Sequence, residues 1–314
     1  MQLKEVSYYQ TGGTCDQWIV PGSVPELAKA MSRLHAEQTP YFLLGAGSNS
    51  LVMDDHWPGA VVMFSRLKGI CTVHDRIIVE AGVLNTFLAE KCLADSLTGA
   101  EWMYCLPGQV GATVRMNARC YGGEISQIVE SVTVVTRQGQ IRKYPNDGIF
   151  LGYKDTIFMS SQEVVASVTL KLKPGEQDEI RRQMVFCKTD REKKHQLAYP
   201  SCGCVFKNDY TAGVPSGLLL DKVGVRAFST GQVEISPYHA NFVFNKGASA
   251  RQILEVTLNM REAVYQHFGI WLAYEMEILG QLPEDLKKRI SEVRKPQPNE
   301  SEIAPLREHF LAGQ

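Results

Sequence analysis

A turn of small residues separates two apolar runs near the start of the chain, at residues 41–44 and 51–53. Its members are Gly45, Ala46, Gly47, Ser48 and Asn49. Glycines let the backbone approach a ligand closely, and successive N–H groups of such a turn can converge on a phosphate. The turn therefore indicates a nucleotide cofactor.

The spacing of this turn does not fit the dinucleotide-binding fingerprint. That fingerprint needs a third small residue in G-x-G-x-x-G/A spacing, a helix directly after it, and an acidic residue about 20 positions further on. Here a second strand-like run follows at residues 60–64, and residues 59–74 contain no Asp or Glu. We therefore expect the turn to join two strands.

A second turn with several small residues lies further along the chain. Its candidate cofactor contacts are Pro107, Gly108, Gly111, Asn117 and Gly122. Either turn by itself is more often an ordinary tight turn. Two such turns in one region, each bordered by apolar segments, favour a binding site in which two backbone segments line one elongated cofactor.

The elements around these turns predict an α+β architecture. Strand-like runs occur at residues 76–81, 129–135 and 164–172. In the last of these runs, apolar residues alternate with the two-residue period of a strand. Helices are predicted at residues 24–34, where Ser23 can cap the first turn, and at residues 84–93.

A break near Pro174 ends the strand-rich part of the chain. The charged stretch at residues 176–194 then predicts a solvent-facing helix that connects to a second unit. In that unit a capping box at Ser249 begins a helix with an apolar stripe, and Gly269 ends it. After Gly280 the chain becomes charged and rich in proline, and we expect a peripheral helix and a loose end there.

Composition narrows the possible functions. A chain of 314 residues with 44% hydrophobic content can form two packed domains. Its 33 basic and 34 acidic residues leave a net charge of −1, which argues against nucleic acid or an anionic membrane as the main partner. The start of the chain lacks the features of an export signal, and no apolar run approaches the length of a membrane span. We expect a cytoplasmic protein.

The cysteines do not predict a metal site. The chain has 8 cysteines but no C-x-x-C pair, and the close pair Cys202 and Cys204 has no histidines at metal-ligand spacing. A reducing compartment disfavours disulfides. We interpret most of these cysteines as small buried hydrophobes.

Seven segments, in this order, closely resemble the UDP-N-acetylenolpyruvoylglucosamine reductases. They lie at residues 10–13, 44–49, 106–122, 152–158, 202–208, 239–245 and 272–280. The fourth resembles the family's G-Y-R-D-S-x-F, the fifth A-G-S-x-F-K-N, the sixth H-A-N-F-x-x-N and the last L-x-x-E-V-x-x-x-G. The order of the motifs is much more specific than any one of them.

The resemblance implies a two-lobed α+β FAD-binding domain of the vanillyl-alcohol-oxidase/PCMH type, followed by a smaller α+β substrate-binding domain. On this basis the FAD-binding domain is placed at residues 1–173 and a connecting charged helix at residues 174–195. The substrate-binding domain follows at residues 196–281, and a charged tail at residues 282–314.

The resemblance also implies a reaction. In this family NADPH gives a hydride to non-covalently bound FAD, which passes it to the vinyl carbon of the enolpyruvyl ether on UDP-N-acetylglucosamine. The product is UDP-N-acetylmuramate, a precursor of peptidoglycan. We expect a monomer that uses no metal.

Hydride delivery to the vinyl carbon places negative charge on the neighbouring carbon and its carboxylate, so the site needs a cation and a proton donor. The resemblance assigns the cation to Lys154 and the proton donor to Cys204, with Glu275 nearby. Cys204 replaces the family's usual Ser, and a thiol with an ordinary pKa near 8.5 is mostly protonated at neutral pH. Lys154 replaces an Arg and cannot make the same planar contact.

Each of these residues has a simpler interpretation. Lys154 could be an exposed loop residue, Cys204 a buried structural cysteine or half of a C-x-C pair, and Glu275 a partner in a salt bridge, for example with Lys154. The substrate contacts implied by the resemblance are Tyr153, Lys207 and Asn208. Asn208 could instead stabilise a turn.

Two further observations and two alternative functions complete the sequence analysis. Arg119 and Cys120 stand where the family has Gly-Ala, so the second turn carries larger side chains than usual. His239 is interpreted as a hydrogen-bonded scaffold residue. Besides the family reaction, the chain could be a flavin-binding paralogue with another substrate, or a nucleotide-sugar-binding protein without catalytic activity.

Overall fold

The computed structural model describes residues 2–312 and divides by contacts into two units, each built from separate stretches of chain. Unit A comprises Cys15–Ala46 and Pro58–Lys193. Unit B comprises, within the described residues, residues 2–14, Gly47–Trp57 and residues 194–312.

The strands are, in chain order, β1 (Cys15–Ile19), β2 (Tyr41–Leu44), β3 (Ser50–Val52), β4 (Trp57–Met63), β5 (Ile70–Val73), β6 (Arg76–Glu80), β7 (Leu97–Thr98), β8 (Arg119–Cys120), β9 (Gly123–Glu124), β10 (Val129–Val135), β11 (Ile141–Pro145), β12 (Phe150–Gly152), β13 (Asp155–Thr156), β14 (Val164–Lys171), β15 (Lys173–Pro174), β16 (Val233–Ile235), β17 (Val243–Asn245) and β18 (Glu277–Leu279).

The α-helices are α1 (Val24–Ala36), α2 (Asn85–Ala94), α3 (Val110–Arg115), α4 (Ile157–Ser160), α5 (Gln177–Lys193), α6 (Ser216–Lys222), α7 (Ala250–Phe268), α8 (Glu284–Ser291) and α9 (Glu300–Ala312). Short 3-10 helices occur at Leu3–Glu5, Glu101–Met103, Ile125–Gln127, Tyr210–Ala212 and Val225–Phe228. No helix within residues 2–312 combines the length and the apolar character that crossing a membrane requires.

Unit A is organised by an antiparallel five-stranded sheet in the order β11-β10-β14-β6-β5. Its central strand β14 is buried on both faces. Val164 and Ala166 pack in one hydrophobic cluster with α1, whereas Val165 and Val168 belong to a second cluster. A smaller sheet in the order β1-β4-β2 contains the parallel pair β2 and β4.

The two helices predicted near the start of the chain are confirmed. Helix α1 begins after Ser23, whose hydroxyl accepts a 3.3 Å hydrogen bond from the backbone N–H of Glu26. It runs two residues beyond the predicted end at Leu34. Helix α2 lies one residue further along the chain than predicted.

The prediction of a solvent-facing helix at residues 176–194 is wrong about its packing. Helix α5 buries Ile180, Met184, Cys187 and Arg191 along one face. This face contacts α2 and the 3-10 helix Glu101–Met103 of unit A. The spacing of three to four residues is that of an amphipathic helix, although charges surround it in the sequence.

Unit B is built around α7. The predicted capping box is present, since Ser249 and Gln252 exchange side-chain and backbone hydrogen bonds at its start. Gly269 ends the helix with φ +68°, a left-handed conformation that favours glycine. Strands β3 and β18 form a parallel pair in this unit, with Ser50 opposite Glu277.

The prediction of a loose end after the first tail helix is wrong for the described residues. Both α8 and α9 pack on α7, and they bury Leu286 and Ile303 in the core of unit B. The connecting segment is tied back by a 2.8 Å hydrogen bond from the backbone N–H of Gln297 to the oxygen of Gly269. The last two residues of the predicted tail, residues 313 and 314, lie outside the described part of the chain.

Contacts group the residues differently from the predicted domain ranges. The N-terminal residues up to Thr14 and residues 47–57 group with the C-terminal part of the chain, and α5 groups with unit A. The pairing of β3 with β18 is one physical reason, because it places a short N-terminal strand beside one near residue 278.

Candidate functional site

The first small-residue turn joins β2 to β3, which confirms the predicted strand-to-strand connection. In unit A, a Cβ atom added to Gly45 would lie 3.2 Å from Oε1 of Gln109 and 3.8 Å from Cβ of Ala112. Glycine at position 45 therefore allows the first turn to approach the start of α3. The two turns singled out in the sequence meet at this point.

The second turn lies on the N-terminal side of α3, with Pro107 in the preceding loop and Gln109 at the N-cap position. Gly108 has φ +129°, and its backbone oxygen accepts a 3.1 Å hydrogen bond from the N–H of Asn85. Gly111 is required by packing, since a Cβ atom there would lie 2.6 Å from Cβ of Ala81.

Two buried side-chain oxygens near these turns have no hydrogen-bond partner within residues 2–312: Oε1 of Gln109 and Oδ1 of Asn117. The residues are 6% and 1% exposed. An unsatisfied buried acceptor costs about 1–3 kcal/mol, so a ligand donor is the natural complement. The amide and hydroxyl groups of FAD are donors of this kind, and the residues present therefore fit that cofactor.

The segment from Arg119 to Glu124 is a tight hairpin of β8 and β9. Its two turn residues, Tyr121 and Gly122, have φ of +50° and +78°, as in a type I′ turn. Tyr121 donates a 2.8 Å hydrogen bond from its hydroxyl to Asp190, and burial is the main cause that raises the pKa of Tyr121. Tyr121 and Cys120 are thus held by contacts with α5, since Nη2 of Arg191 donates a 3.2 Å hydrogen bond to Sγ of Cys120.

Tyr153 and Lys154 form the turn between β12 and β13, where Gly152 pairs with Asp155. Lys154 is only 9% exposed and has φ +52°, so its interpretation as an exposed loop residue is wrong. The guanidinium carbon of Arg119 lies 4.3 Å from the ring centroid of Tyr153. Asn117 joins the two turns, because its Nδ2 donates hydrogen bonds to Glu124 (2.8 Å) and to the oxygen of Gly152 (2.9 Å).

In unit B, Cys204 lies on a segment held by neighbours on two sides. Cys204 itself pairs with Phe242, and Phe206 pairs with Tyr274. The side chain of Asn241 accepts a 2.9 Å hydrogen bond from the N–H of Phe206 and donates another of 2.9 Å to its oxygen. Cys204 is half-buried and is not a core residue.

Glu275 lies on the segment next to Cys204. Its backbone N–H donates a 2.8 Å hydrogen bond to the oxygen of Val205, the residue after Cys204. On its other side, Glu275 accepts a 2.9 Å hydrogen bond through its backbone oxygen from Nδ2 of Asn49. Unit B thus brings Cys204, Glu275 and the end of the first turn together.

The two members of the C-x-C pair have different surroundings. Cys202 is 3% exposed. Its burial is the largest cause that raises the pKa of its thiol, and the charges of Cys204 and Glu275 raise this pKa further.

The interpretation of most cysteines as buried hydrophobes holds for three of the eight, Cys92, Cys187 and Cys202. It is wrong for the exposed Cys71, and Cys15, Cys105, Cys120 and Cys204 are partly exposed.

Lys207 and Asn208 follow Cys204 on the same segment. The backbone N–H of Lys207 donates a 2.9 Å hydrogen bond to the oxygen of Ala273. Oδ1 of Asn208 accepts a 3.0 Å hydrogen bond from the N–H of Ser216, the first residue of α6. This contact supports the simpler interpretation of Asn208 as a turn-stabilising residue, at least for its oxygen.

His239 has the contacts of a scaffold residue. Its Nδ1 accepts a 3.3 Å hydrogen bond from the backbone N–H of Asn241. Burial is the largest cause that lowers the pKa of His239, and the charges of Lys194 and Arg226 lower it further. This hydrogen bond agrees with the interpretation of His239 as a hydrogen-bonded scaffold residue.

Three residues of the site were not predicted as contacts. Gln109 has the unpartnered buried oxygen, Asn241 positions the Cys204 segment, and Arg119 covers the ring of Tyr153. A departure from the family pattern was visible at Arg119, and the motif at residues 239–245 contained Asn241. The role of each depends on a partner distant in the sequence.

Unit B also has a groove of about 730 Å³ beside the N-terminal segment. It is lined by Lys4, Glu5, Ser7, Tyr8, Gln10 and residues 197–200. None of the predicted site residues is among its lining. Within residues 2–312, no three His, Cys, Asp or Glu side chains come together as metal ligands would.

Comparison with protein families gives two matches. Residues 16–144 match an FAD binding domain, and residues 195–279 match the C-terminal domain of UDP-N-acetylenolpyruvoylglucosamine reductase. Both matches confirm the resemblance found in the sequence motifs. The first also confirms the prediction of an FAD-binding α+β fold.

Individual relatives agree over most of their length. The UDP-N-acetylenolpyruvoylglucosamine reductase of Clostridium novyi is 34% identical over 90% of this chain and 92% of its own. That of Lactiplantibacillus plantarum is 33% identical over 88% and 93%. The crystal structure of the Thermus caldophilus enzyme superposes with a TM-score of 0.74 at 30% identity, over 88% of this chain and 97% of that one.

Proposed function

Because the chain belongs to the UDP-N-acetylenolpyruvoylglucosamine reductase family, we propose that it uses NADPH and FAD to reduce the enolpyruvyl ether of UDP-N-acetylglucosamine to UDP-N-acetylmuramate. The product serves peptidoglycan synthesis. The observation that carries this proposal is the adjacency of Cys204 and Glu275, whose segments are joined by the 2.8 Å hydrogen bond between Glu275 N–H and Val205 oxygen.

The two turns would hold the cofactor. In unit A, Gly45 admits close approach, and the buried oxygens of Gln109 and Asn117 would accept hydrogen bonds from FAD. Ala46, Gly47, Ser48, Asn49, Pro107, Gly108, Gly111 and Gly122 complete the proposed FAD-binding set. When bound, FAD supplies the transfer of a hydride from NADPH to the vinyl carbon of the substrate.

Lys154 neutralises the substrate carboxylate. Its low exposure strengthens the attraction, because a charge pair removed from water is screened less. Tyr153, next to it, borders the substrate. Lys207 and Asn208 bind its uridine diphosphate or sugar portion.

Cys204 donates the proton. The hydride adds to the terminal vinyl carbon, the thiol proton of Cys204 goes to the carbon that bears the carboxylate, and the C=C double bond becomes a single bond. NADPH is oxidised to NADP⁺, and solvent returns a proton to the Cys204 thiolate.

Two further parts of the proposal concern the protein as a whole. We infer a monomer, because the candidate residues of each step are all supplied by one chain. The substrates are charged nucleotides of the cell interior, and a cytoplasmic location follows from them. Sedimentation and cell fractionation test these two points independently of activity.

The test is the absorbance spectrum of the purified protein, followed by anaerobic mixing of the NADPH-treated protein with the enolpyruvyl nucleotide sugar. We expect a bound flavin, loss of its absorbance with NADPH, and recovery when the sugar nucleotide is added. Recovery with oxygen but not with this substrate would favour the paralogue with another substrate. A protein that binds the UDP-sugar but no FAD would favour the catalytically silent alternative.

A further inference from the structure

Ser7, in the N-terminal part of unit B, has a buried hydroxyl group without a hydrogen-bond partner. The residue is 4% exposed, and its Oγ bonds to no group within residues 2–312. Burial of an unpartnered hydroxyl is unfavourable, because the hydrogen bonds that it made with water are lost. A ligand atom that accepts this hydrogen bond would remove that cost.

Backbone hydrogen bonds on both sides fix the position of Ser7. Its N–H donates a 2.9 Å hydrogen bond to the oxygen of Leu3, and its oxygen accepts one of 2.9 Å from the N–H of Gln10. The N–H of Leu3 in turn donates a 2.7 Å hydrogen bond to the oxygen of Gly13. The direction of the Ser7 side chain is therefore set by the fold of this segment.

Ser7 packs directly against the first small-residue turn. A Cβ atom added to Gly47 would lie 2.8 Å from Cα of Ser7, 2.9 Å from the backbone nitrogen of Tyr8 and 3.2 Å from Oγ of Ser7. Gly47 also has φ +67°, a left-handed conformation that favours glycine. The unpartnered hydroxyl thus lies beside the part of unit B that is proposed to hold the phosphates of FAD.

The groove of about 730 Å³ beside the N-terminal segment also has Ser7 in its lining. Ser7 therefore borders open space as well as the turn at Gly47. A ligand group held at the turn can reach the hydroxyl without disturbing the buried core of unit B.

We propose that Ser7 is a further cofactor-binding residue, whose hydroxyl donates a hydrogen bond to the diphosphate of FAD at the first turn. This proposal rests on the part of the proposed function that places FAD there. The phosphate oxygens of a diphosphate are acceptors, so the hydroxyl is the donor. Because the acceptor is charged, the bond is stronger than one between neutral groups. The N-terminal segment thereby adds a side-chain donor to the backbone N–H groups of the turn.

The first test is the affinity of Ser7→Ala for FAD, measured by flavin fluorescence as the purified flavoprotein is diluted. A hydrogen bond to a charged group corresponds to about a tenfold to hundredfold change in affinity. We expect the Kd for FAD to rise by that factor, and the phosphorus NMR signals of the bound diphosphate to move. An unchanged Kd would overturn the proposal.

Melting temperatures separate this role from a structural one. In the flavin-free protein the hydroxyl is unsatisfied, so Ser7→Ala should melt no lower than the wild type. With saturating FAD the same variant should melt lower than the wild type, because the bond to the cofactor is lost. A lower melting temperature in both states would show that Ser7 supports the fold, and would contradict the proposal.

Thr11→Val is the matched control. Oγ1 of Thr11 is also buried and has no partner within the described residues, and Thr11 is 1% exposed. It belongs to the same segment but does not line the groove. Its replacement should leave the Kd for FAD and the phosphorus signals unchanged. An equal rise of the Kd in both variants would assign the effect to the segment rather than to the Ser7 hydroxyl, and the proposal would be wrong.

The proposed substrate also carries a diphosphate, so UDP is titrated into the flavoprotein. Ser7→Ala should bind UDP like the wild type. If it weakens UDP binding but not FAD binding, the hydroxyl serves the substrate and the proposal is wrong. If the wild-type protein binds no flavin, the proposed function fails. If the wild type binds FAD and Ser7→Ala binds it equally well, only the assignment of Ser7 fails.

Discussion

Asn49 donates a 2.9 Å hydrogen bond from its side chain to the backbone oxygen of Glu275, and its own backbone oxygen accepts one of 2.9 Å from Glu277. The last residue of the small-residue turn therefore fixes the segment that carries Glu275, one of the candidate site residues. A turn predicted to bind a cofactor also positions the chemistry of unit B.

Replacing Asn49 with alanine should affect stability and catalysis together. The lost hydrogen bond should lower the free energy of unfolding by about 0.5–1.5 kcal/mol. Because Glu275 loses its anchor, kcat/KM should fall as well. Denaturant titration and steady-state assays measure the two effects.

Asn146→Ala is the control for that variant. Asn146 also donates through Nδ2 to backbone oxygens, those of Ser126 and Val129, but within unit A and outside the proposed site. It should lower stability without lowering kcat/KM. Equal loss of activity in both variants would mean that general destabilisation, rather than the position of Glu275, is responsible.

Cys204→Ala should separate the two halves of the reaction. NADPH should still reduce the bound flavin, whereas product formation should fall by about 10²- to 10⁴-fold, the usual contribution of a general acid. Stopped-flow absorbance follows both steps. Cys204→Ser should retain more activity than Cys204→Ala, because it keeps a proton donor.

The neighbouring Cys202→Ala serves as its comparison. Cys202 lies in the core of unit B, so its replacement should reduce stability and leave the proton transfer in place. If Cys202→Ala were as inactive as Cys204→Ala, the result would contradict the assignment of Cys204 as the proton donor.

Gly45→Ala should weaken FAD binding. The new methyl group would lie 3.2 Å from Oε1 of Gln109, tighter than an ordinary contact, and would displace one of the two buried oxygens proposed to face the cofactor. We expect about a tenfold rise in the Kd for FAD, which corresponds to about 1.4 kcal/mol. Fluorescence titration of the apoprotein measures it.

Gly231→Ala is the corresponding control for crowding. Nothing lies within 4 Å of a Cβ atom at Gly231, and its φ is outside the left-handed region. It should bind FAD like the wild type. An unchanged Kd in Gly45→Ala would argue against a cofactor at the meeting point of the two turns.

Some turns and helix ends of this chain were predictable because residues close together in the sequence determine them. Small residues between two apolar runs predict the turn between Leu44 and Ser50, and the capping box at Ser249 predicts the start of α7. The burial of α5 was less visible, because charged residues surround Ile180, Met184 and Cys187 in the sequence. The low exposure of Lys154 depends on residues far away in the chain, which no local pattern reveals.

In the candidate site, too, the sequence predicts individual residues but not which of them are in contact. Family motifs identified Cys204 and Glu275, but their adjacency follows from a hydrogen bond between segments about 70 residues apart. Likewise, Arg119 and Tyr153 are both recognisable as unusual or aromatic residues in the sequence. Only the pairing of two hairpins, through Asn117, shows that they touch.

His239 predicts a pH dependence of stability. Burial lowers its pKa in the folded protein below the ordinary value of about 6.5, so the unfolded chain binds the proton more readily. The contribution of the neutral His239 to the free energy of unfolding is therefore fully present above pH 6.5. It is lost as the pH falls from that value through the pKa of His239 in the folded protein. Protonation of Nδ1 would also break the hydrogen bond from Asn241.

The measurement is the melting temperature between pH 7.5 and pH 5. His239→Asn keeps an acceptor near the position of Nδ1 and removes the titrating group, so its curve should be flatter than that of the wild type. His35→Asn, on α1 of unit A, provides a control. A wild-type slope that persists in His239→Asn would assign the pH dependence to other groups.

The parallel pairing of β3 with β18 also affects the order in which the chain can fold during synthesis. Residues 50–52 leave the ribosome early, but their partner strand ends at Leu279. Unit A is complete once Lys193 has emerged. The apolar Leu51 and Val52, in contrast, have no strand partner until almost all of the remaining chain has been synthesised. During that interval an unpaired strand edge is exposed, so nascent chains stalled between residues 193 and 279 are the ones in which chaperone binding would be expected.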